Sequence, residues 1–276
     1  MRRLLALPVL VLLLALPLPL RAAPPAGLDA LLEALALDDL LAIMREEGIG
    51  HADELAAEMF PGRGGARWSA AVTQIYDGER MSGELRDSLA GSLAGADLTP
   101  LVDFFTSADG ARIVSLELSA RRALLDEAVK AASRERLEEM QADDDPRLDL
   151  IGRFVEVNNL IEANVAGALN ANYAFYAGLA DGRAFDFDMT EEQMLADVWS
   201  QEQEIREETR DWVLSYLTMA YAPLSDEVLE SYVALSETPA GGALNAALFQ
   251  GFDVSFTRIS RELGLVAASF ISGQDI

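Results

Sequence analysis

Tyr232-Val233-Ala234-Leu235-Ser236-Glu237-Thr238-Pro239-Ala240-Gly241 reads as the end of one helix, a short break and the opening of another. Thr238 supplies a capping oxygen, and Pro239 stands at the first helical position, where its missing N–H costs nothing. The small Gly241 lets a neighbouring helix approach closely. Downstream, Leu244, Leu248, Phe252, Phe256, Ile259, Leu263 and Val266 recur at helical spacing. That pattern predicts one long helix from Pro239 to Ile271 with a continuous apolar stripe.

A related stretch stands in the first half: Phe104-Phe105-Thr106-Ser107-Ala108-Asp109-Gly110. A shift of 131 residues carries Ser107 onto Thr238 and Gly110 onto Gly241. The same shift carries Trp68-Ser69 onto Trp199-Ser200 and Leu98 onto Leu229. Further upstream a shift of 120 sets Asp38-Asp39-Leu40-Leu41 against Asn158-Asn159-Leu160-Ile161. The expectation is an internal duplication, with one helical repeat at residues 23–145 and a second at 146–276.

Between these landmarks the chain is dominated by Ala, Leu, Glu, Gln, Arg and Met, all good helix formers. No stretch shows sustained period-two alternation between hairpin turns. The fold class is therefore all-α, a multi-helix bundle of two similar halves. Val114, Leu118, Leu125, Val129 and Ala132 predict a helix from about Asp109 to Met140. Ile151, Phe154, Ile161, Val165, Leu169 and Tyr176 predict another from Leu148 to Leu179. Thr190 with Gln193 forms a capping-box pattern, and Ser225 is placed to cap the helix after Pro223.

The aromatic residues followed by Ser/Thr-Pro-x-Gly at Tyr232–Gly241 resemble the motif of the bacterial exported family called domain of unknown function 2059. The first copy departs from it, with Ala108 in place of the Pro. The whole chain resembles the longer, two-copy form found in marine alphaproteobacteria. The resemblance implies an all-helical exported protein and no activity.

The start of the chain has the layout of a secretory signal peptide. Arg2 and Arg3 precede an apolar run from Leu4 to Leu20, and Arg21-Ala22-Ala23 follows. Cleavage is expected after Ala22, which leaves residues 1–22 outside the mature fold and places the protein in the periplasm. Pro8, Pro17 and Pro19 interrupt the run, which is short for a membrane span. No later stretch is long and apolar enough to cross a bilayer.

Composition excludes several chemistries. The 276 residues carry 46 Asp and Glu against 21 Lys and Arg, one His and no Cys. A net charge of −25 argues against a nucleic-acid partner, which needs clustered cations. One His and no Cys rule out a multi-histidine zinc site, thiolate sites and disulfides. There is no G-x-S-x-G elbow and no phosphate-binding Walker loop. His51, Glu54 and Glu58 lie at helical spacing but read as a solvated surface. Asp186-Phe187-Asp188 begins like a calcium loop, yet Glu191 stands where the turn needs Gly. No metal, no cofactor and no enzymatic activity are expected.

One constellation remains. Asn158 and Asn172 fall on the apolar stripe of the 148–179 helix, with Glu162 beside it. Buried amides need hydrogen-bond partners. They either fix register with other helices or, with Glu162 and Trp199, line a polar patch in a helical pocket. The leading functional expectation is a periplasmic protein working through contacts with an unknown protein partner. The alternative is a carrier of a small apolar molecule or lipid, with a pocket between the halves.

Overall fold

The computed structural model describes residues 25–185 and 189–272. Residues 1–22, expected to be a signal peptide, and the calcium-like Asp186–Asp188 lie outside them. Among the described residues there are 13 helices and no strand, so the chain is all-α. In chain order they are α1 (Leu28–Ala34), α2 (Leu37–Met59), α3 (Gly65–Ile75), α4 (Gly78–Ser92), α5 (Thr99–Thr106), α6 (Ala108–Ala123) and α7 (Glu127–Ala142). There follow α8 (Arg147–Val157), α9 (Leu160–Asp181), α10 (Glu191–Ser200), α11 (Glu202–Tyr221), α12 (Asp226–Ser236) and α13 (Pro239–Ser272). None of the helices described is long and apolar enough to cross a membrane.

Both motif breaks form as their sequences dictate. The Thr238 hydroxyl donates to Leu235 O at 2.6 Å and accepts the Gly241 N–H at 3.0 Å. The Ser107 hydroxyl donates to Phe104 O at 2.6 Å and accepts the Gly110 N–H at 3.1 Å. In each case the glycine lets the new helix press onto the end of the preceding one. A Cβ on Gly241 would stand 2.1 Å from Leu235 O, and one on Gly110 would stand 2.1 Å from Phe104 O. Thr190 and Gln193 complete the expected capping box of α10, and Ser225 caps α12.

Two predicted helices are each broken in two. The 109–140 helix stops after Ala123, and Asp126 starts α7 by accepting the N–H groups of Ala128 and Val129 at 2.8 and 3.4 Å. Its stripe is also different, because Leu125 and Ala132 are exposed while Ile113, Leu137 and Met140 are buried. A side-chain cap competes with helix continuation, and apolar spacing alone does not register it. The 148–179 helix breaks at Asn158 and Asn159. Asn159 adopts φ 51°, the left-handed conformation that asparagine tolerates better than most residues.

α13 spans about 50 Å at 1.5 Å per residue and ties the molecule together. Its partner along much of its length is α9. Gly178 and Gly264 permit that contact: a Cβ on Gly178 would lie 2.2 Å from Arg261 O, and one on Gly264 2.2 Å from Phe175 O. The far end of α13 enters the first half, where Phe270 stacks on Phe60 at 5.2 Å and Phe60 meets the edge of Trp68 at 5.0 Å. Arg258 of α13 pairs with Glu84 of α4 at 2.7 Å. The largest apolar core accordingly mixes Leu28–Val114 with Leu244–Ala268. A second core joins Ile113 and Ala120 of α6 to α8, α11 and α12.

Candidate functional site

The four residues singled out from sequence do not converge. The break at Asn158–Asn159 ends the continuous helix that would align Asn158, Glu162 and Asn172. Glu162, in the first turn of α9, turns outward and pairs with Arg206, with Arg206 Nη2 to Glu162 Oε2 at 2.9 Å. That hydrogen bond holds its carboxyl below the usual carboxylate range. Arg206 is shared with Glu202. Asn172 donates to Gln201 Oε1 at 3.3 Å, across to the α10–α11 junction. Trp199 is 63% exposed on α10. Its counterpart in the proposed alignment, Trp68, is 1% exposed and donates to Ala52 O. The pocket grouping of Asn158 with Glu162, Asn172 and Trp199 is therefore corrected to Asn158 alone.

Asn158 is buried and spends both amide N–H groups on the protein. They go to Phe154 O at 3.0 Å and Ser236 Oγ at 3.1 Å. Its backbone oxygen accepts from Asn245 of α13 at 2.7 Å. Asn158 thus links α8, α12 and α13, which is the register role. It also lines a cavity of about 210 Å³.

Glu117, which the sequence reading missed, lines the same cavity. Its signal was present: Ile113, Glu117 and Ala120 share one helical face of α6, and Ile113 and Ala120 are core residues. An acid on an apolar stripe is the informative observation. Tyr221 donates to Glu117 Oε1 at 2.6 Å, and Tyr216 donates to the Glu117 carbonyl oxygen at 3.2 Å. Glu117 keeps some access because it lines the cavity, yet protein surrounds its carboxyl. Burial pushes its pKa up from 4.5 to about 7, and the Tyr221 hydrogen bond only partly offsets this. Burial likewise holds Tyr216, Tyr221 and Tyr232 well above the ordinary phenol value. The rings form one cluster, with Phe154 4.7 Å from Tyr232 and 5.6 Å from Tyr221.

A groove of about 730 Å³ adjoins the cavity. Tyr216, Leu217, Asn245 and Leu248 line both. Ala163, Gly167 and Ala171 give the groove a low wall on α9, and Trp212 of α11 with Phe252 and Phe256 of α13 gives it aromatic ones. The predicted α13 stripe therefore divides. Leu244, Ile259 and Leu263 seal the core, while Leu248, Phe252 and Phe256 stay half-buried beside open space. Arg121 also lines the groove, held by Glu47 through two hydrogen bonds of 2.9 and 2.7 Å. Its guanidinium lies 5.6 Å over the Trp212 ring.

Elsewhere, His51 is a surface residue 3.9 Å from Glu54. Among the described residues no group of three or more His, Cys, Asp or Glu could hold a metal ion. No family model matches the chain, and no curated protein or solved structure matches it either.

Proposed function

We propose that this chain is an exported, non-enzymatic binding protein that carries a small apolar ligand in the groove between α9, α11 and α13. The observation that carries the reading is the meeting of cavity and groove at Tyr216, Leu217, Asn245 and Leu248. A concave, mostly apolar space of about 730 Å³ with a few polar groups at one end has the size and character of a ligand site. The non-catalytic part rests on composition, with one His and no Cys. The charge of −25 disfavours nucleic acid as the ligand.

Export to the periplasm rests on the sequence of residues 1–22. The two-copy organisation, 23–145 and 146–276, rests on the paired motifs. Ser107 with Gly110 and Thr238 with Gly241 make the same hydrogen bonds and the same close approach. That likeness also supports kinship with domain of unknown function 2059 in its two-copy form.

The test is native mass spectrometry of the mature protein from its own periplasm, followed by denaturation and analysis of what is released. The expected result is a released small apolar molecule that Gly167→Phe excludes. Gly167 suits this because nothing lies within 4 Å of a Cβ there, so the ring fills the groove without a backbone clash. A bare chain mass in both proteins overturns the reading.

A protein partner is the second reading, and one observation favours it. Leu195 and Trp199, one turn apart on α10, are 40% and 63% exposed. A periplasmic crosslink that Trp199→Ala removes would support it, and a pattern unchanged by the substitution would reject it.

A further inference from the structure

We infer that the cavity bounded by Glu117, Asn158, Tyr221 and Tyr232 takes the cationic head of an amphiphilic amine, whose apolar tail lies in the adjoining α9–α13 groove. The inference rests on the carrier reading and names its ligand class.

Glu117 is the first reason. Its side-chain partner is the neutral phenol of Tyr221, and the influences on its acidity are burial and that phenol, with no cation among them. The nearby guanidinium of Arg121 is already engaged by both oxygens of Glu47. An acid buried without a cation is costly, and a cationic ligand removes that cost.

Two further features of the lining favour a cation. Both amide N–H groups of Asn158 are spent on Phe154 O and Ser236 Oγ. What its amide has left to offer is an acceptor oxygen, which suits a donor such as ammonium. Phe154, Tyr221 and Tyr232 supply aromatic faces with centroids 4.7 to 6.4 Å apart. Such faces attract organic cations. An anionic head would meet the Glu117 carboxylate and the electron-rich rings instead. The cavity, about 210 Å³, suits a compact head, and the groove receives a chain.

The test is calorimetric titration of the whole mature protein at pH 8 with octylamine, octanol and octanoate, which share one tail. A charge-assisted hydrogen bond exceeds a neutral one enough to predict octylamine binding ~10-fold more tightly than octanol. Octanoate is expected to be the weakest. In Glu117→Gln the octylamine-to-octanol ratio should fall to about one. Because the ratio is read within one protein, partial unfolding of the variant affects both ligands alike. Octanol binding as tightly as octylamine, or a ratio unchanged in Glu117→Gln, overturns the amine inference and leaves the carrier reading standing. Failure of all three ligands to bind the unaltered protein overturns both.

Discussion

The phenol of Tyr221 donates a 2.6 Å hydrogen bond to Oε1 of Glu117, joining α11 to α6 at the wall of the cavity. Tyr221→Phe keeps the ring against Phe154 and Tyr232 and removes the only donor this bond has. A hydrogen bond to a charged group contributes ~1.5–3 kcal/mol. Urea unfolding at pH 8 should therefore show a loss of ~2 kcal/mol. The loss should be smaller at pH 5, where the carboxyl is protonated. Equal losses at both values would mean that the ionised form of Glu117 plays no part.

Glu117 also sets a pH dependence. The groups facing it are Tyr216 and Tyr221 from α11 and Tyr232 from α12, with the Arg121–Glu47 pair beyond. The phenols stay neutral because burial raises them. Between 4.5 and about 7 the folded carboxyl holds a proton that the unfolded chain has lost. Stability is thus fully present below 4.5, falls as pH rises through about 7 and levels off above. The change attributable to this group is at most on the order of 3 kcal/mol. Other acids titrate too, so the measurement is the difference between the unaltered protein and Glu117→Gln in unfolding series from pH 4 to 8. The variant should gain on the unaltered protein as pH rises. A constant difference would place the carboxyl in a solvent-like setting.

The caps at Thr190, Ser225 and Thr238 were legible because each puts a side-chain oxygen beside an orphaned N–H, a local event. The long final helix was legible from an uninterrupted stripe. The breaks at Asp126 and Asn159 were not, because apolar spacing continues through both and the local hydrogen bonds that stop the helix leave no periodic trace. The same spacing misplaces the site: a continuous 148–179 helix sets Glu162 and Asn172 beside Asn158, whereas Arg206 and Gln201 take them elsewhere. Asn158 was legible as a buried amide. Its neighbours Glu117, Tyr221 and Asn245 come from three other helices, and only tertiary packing brings them together.

The α9–α13 contact depends on absent side chains, which a pair of substitutions on one helix can isolate. At Gly178 a Cβ would meet Arg261 O at 2.2 Å, and backbone cannot yield cheaply. Gly178→Ala should cost ~2–3 kcal/mol despite the better helix propensity of Ala. At Gly167, on the same helix, a Cβ meets open groove. Gly167→Ala should raise stability by ~0.5–1 kcal/mol. Urea unfolding of both decides the point, since losses of similar size would remove close approach as the reason for Gly178.

The two motif junctions allow the proposed duplication to be tested by energetics. Gly110 and Gly241 each face a carbonyl oxygen at 2.1 Å from a built Cβ, and each sits three residues after its capping hydroxyl. Ser107→Ala and Thr238→Ala should each cost ~1 kcal/mol. Gly110→Ala and Gly241→Ala should each cost ~2–3 kcal/mol, because the crowding is against main chain. The junctions also meet: Phe104, at the first, stacks on Tyr232, near the second, at 5.6 Å. Neighbouring sites couple, so the double glycine variant should depart from the sum of the singles by at least ~0.5 kcal/mol. Matched single losses with such coupling fit two copies of one element packed against each other. A large loss at one junction beside a negligible one at the other would count against equivalent copies, since the same hydrogen bonds and the same approach would then carry different energies.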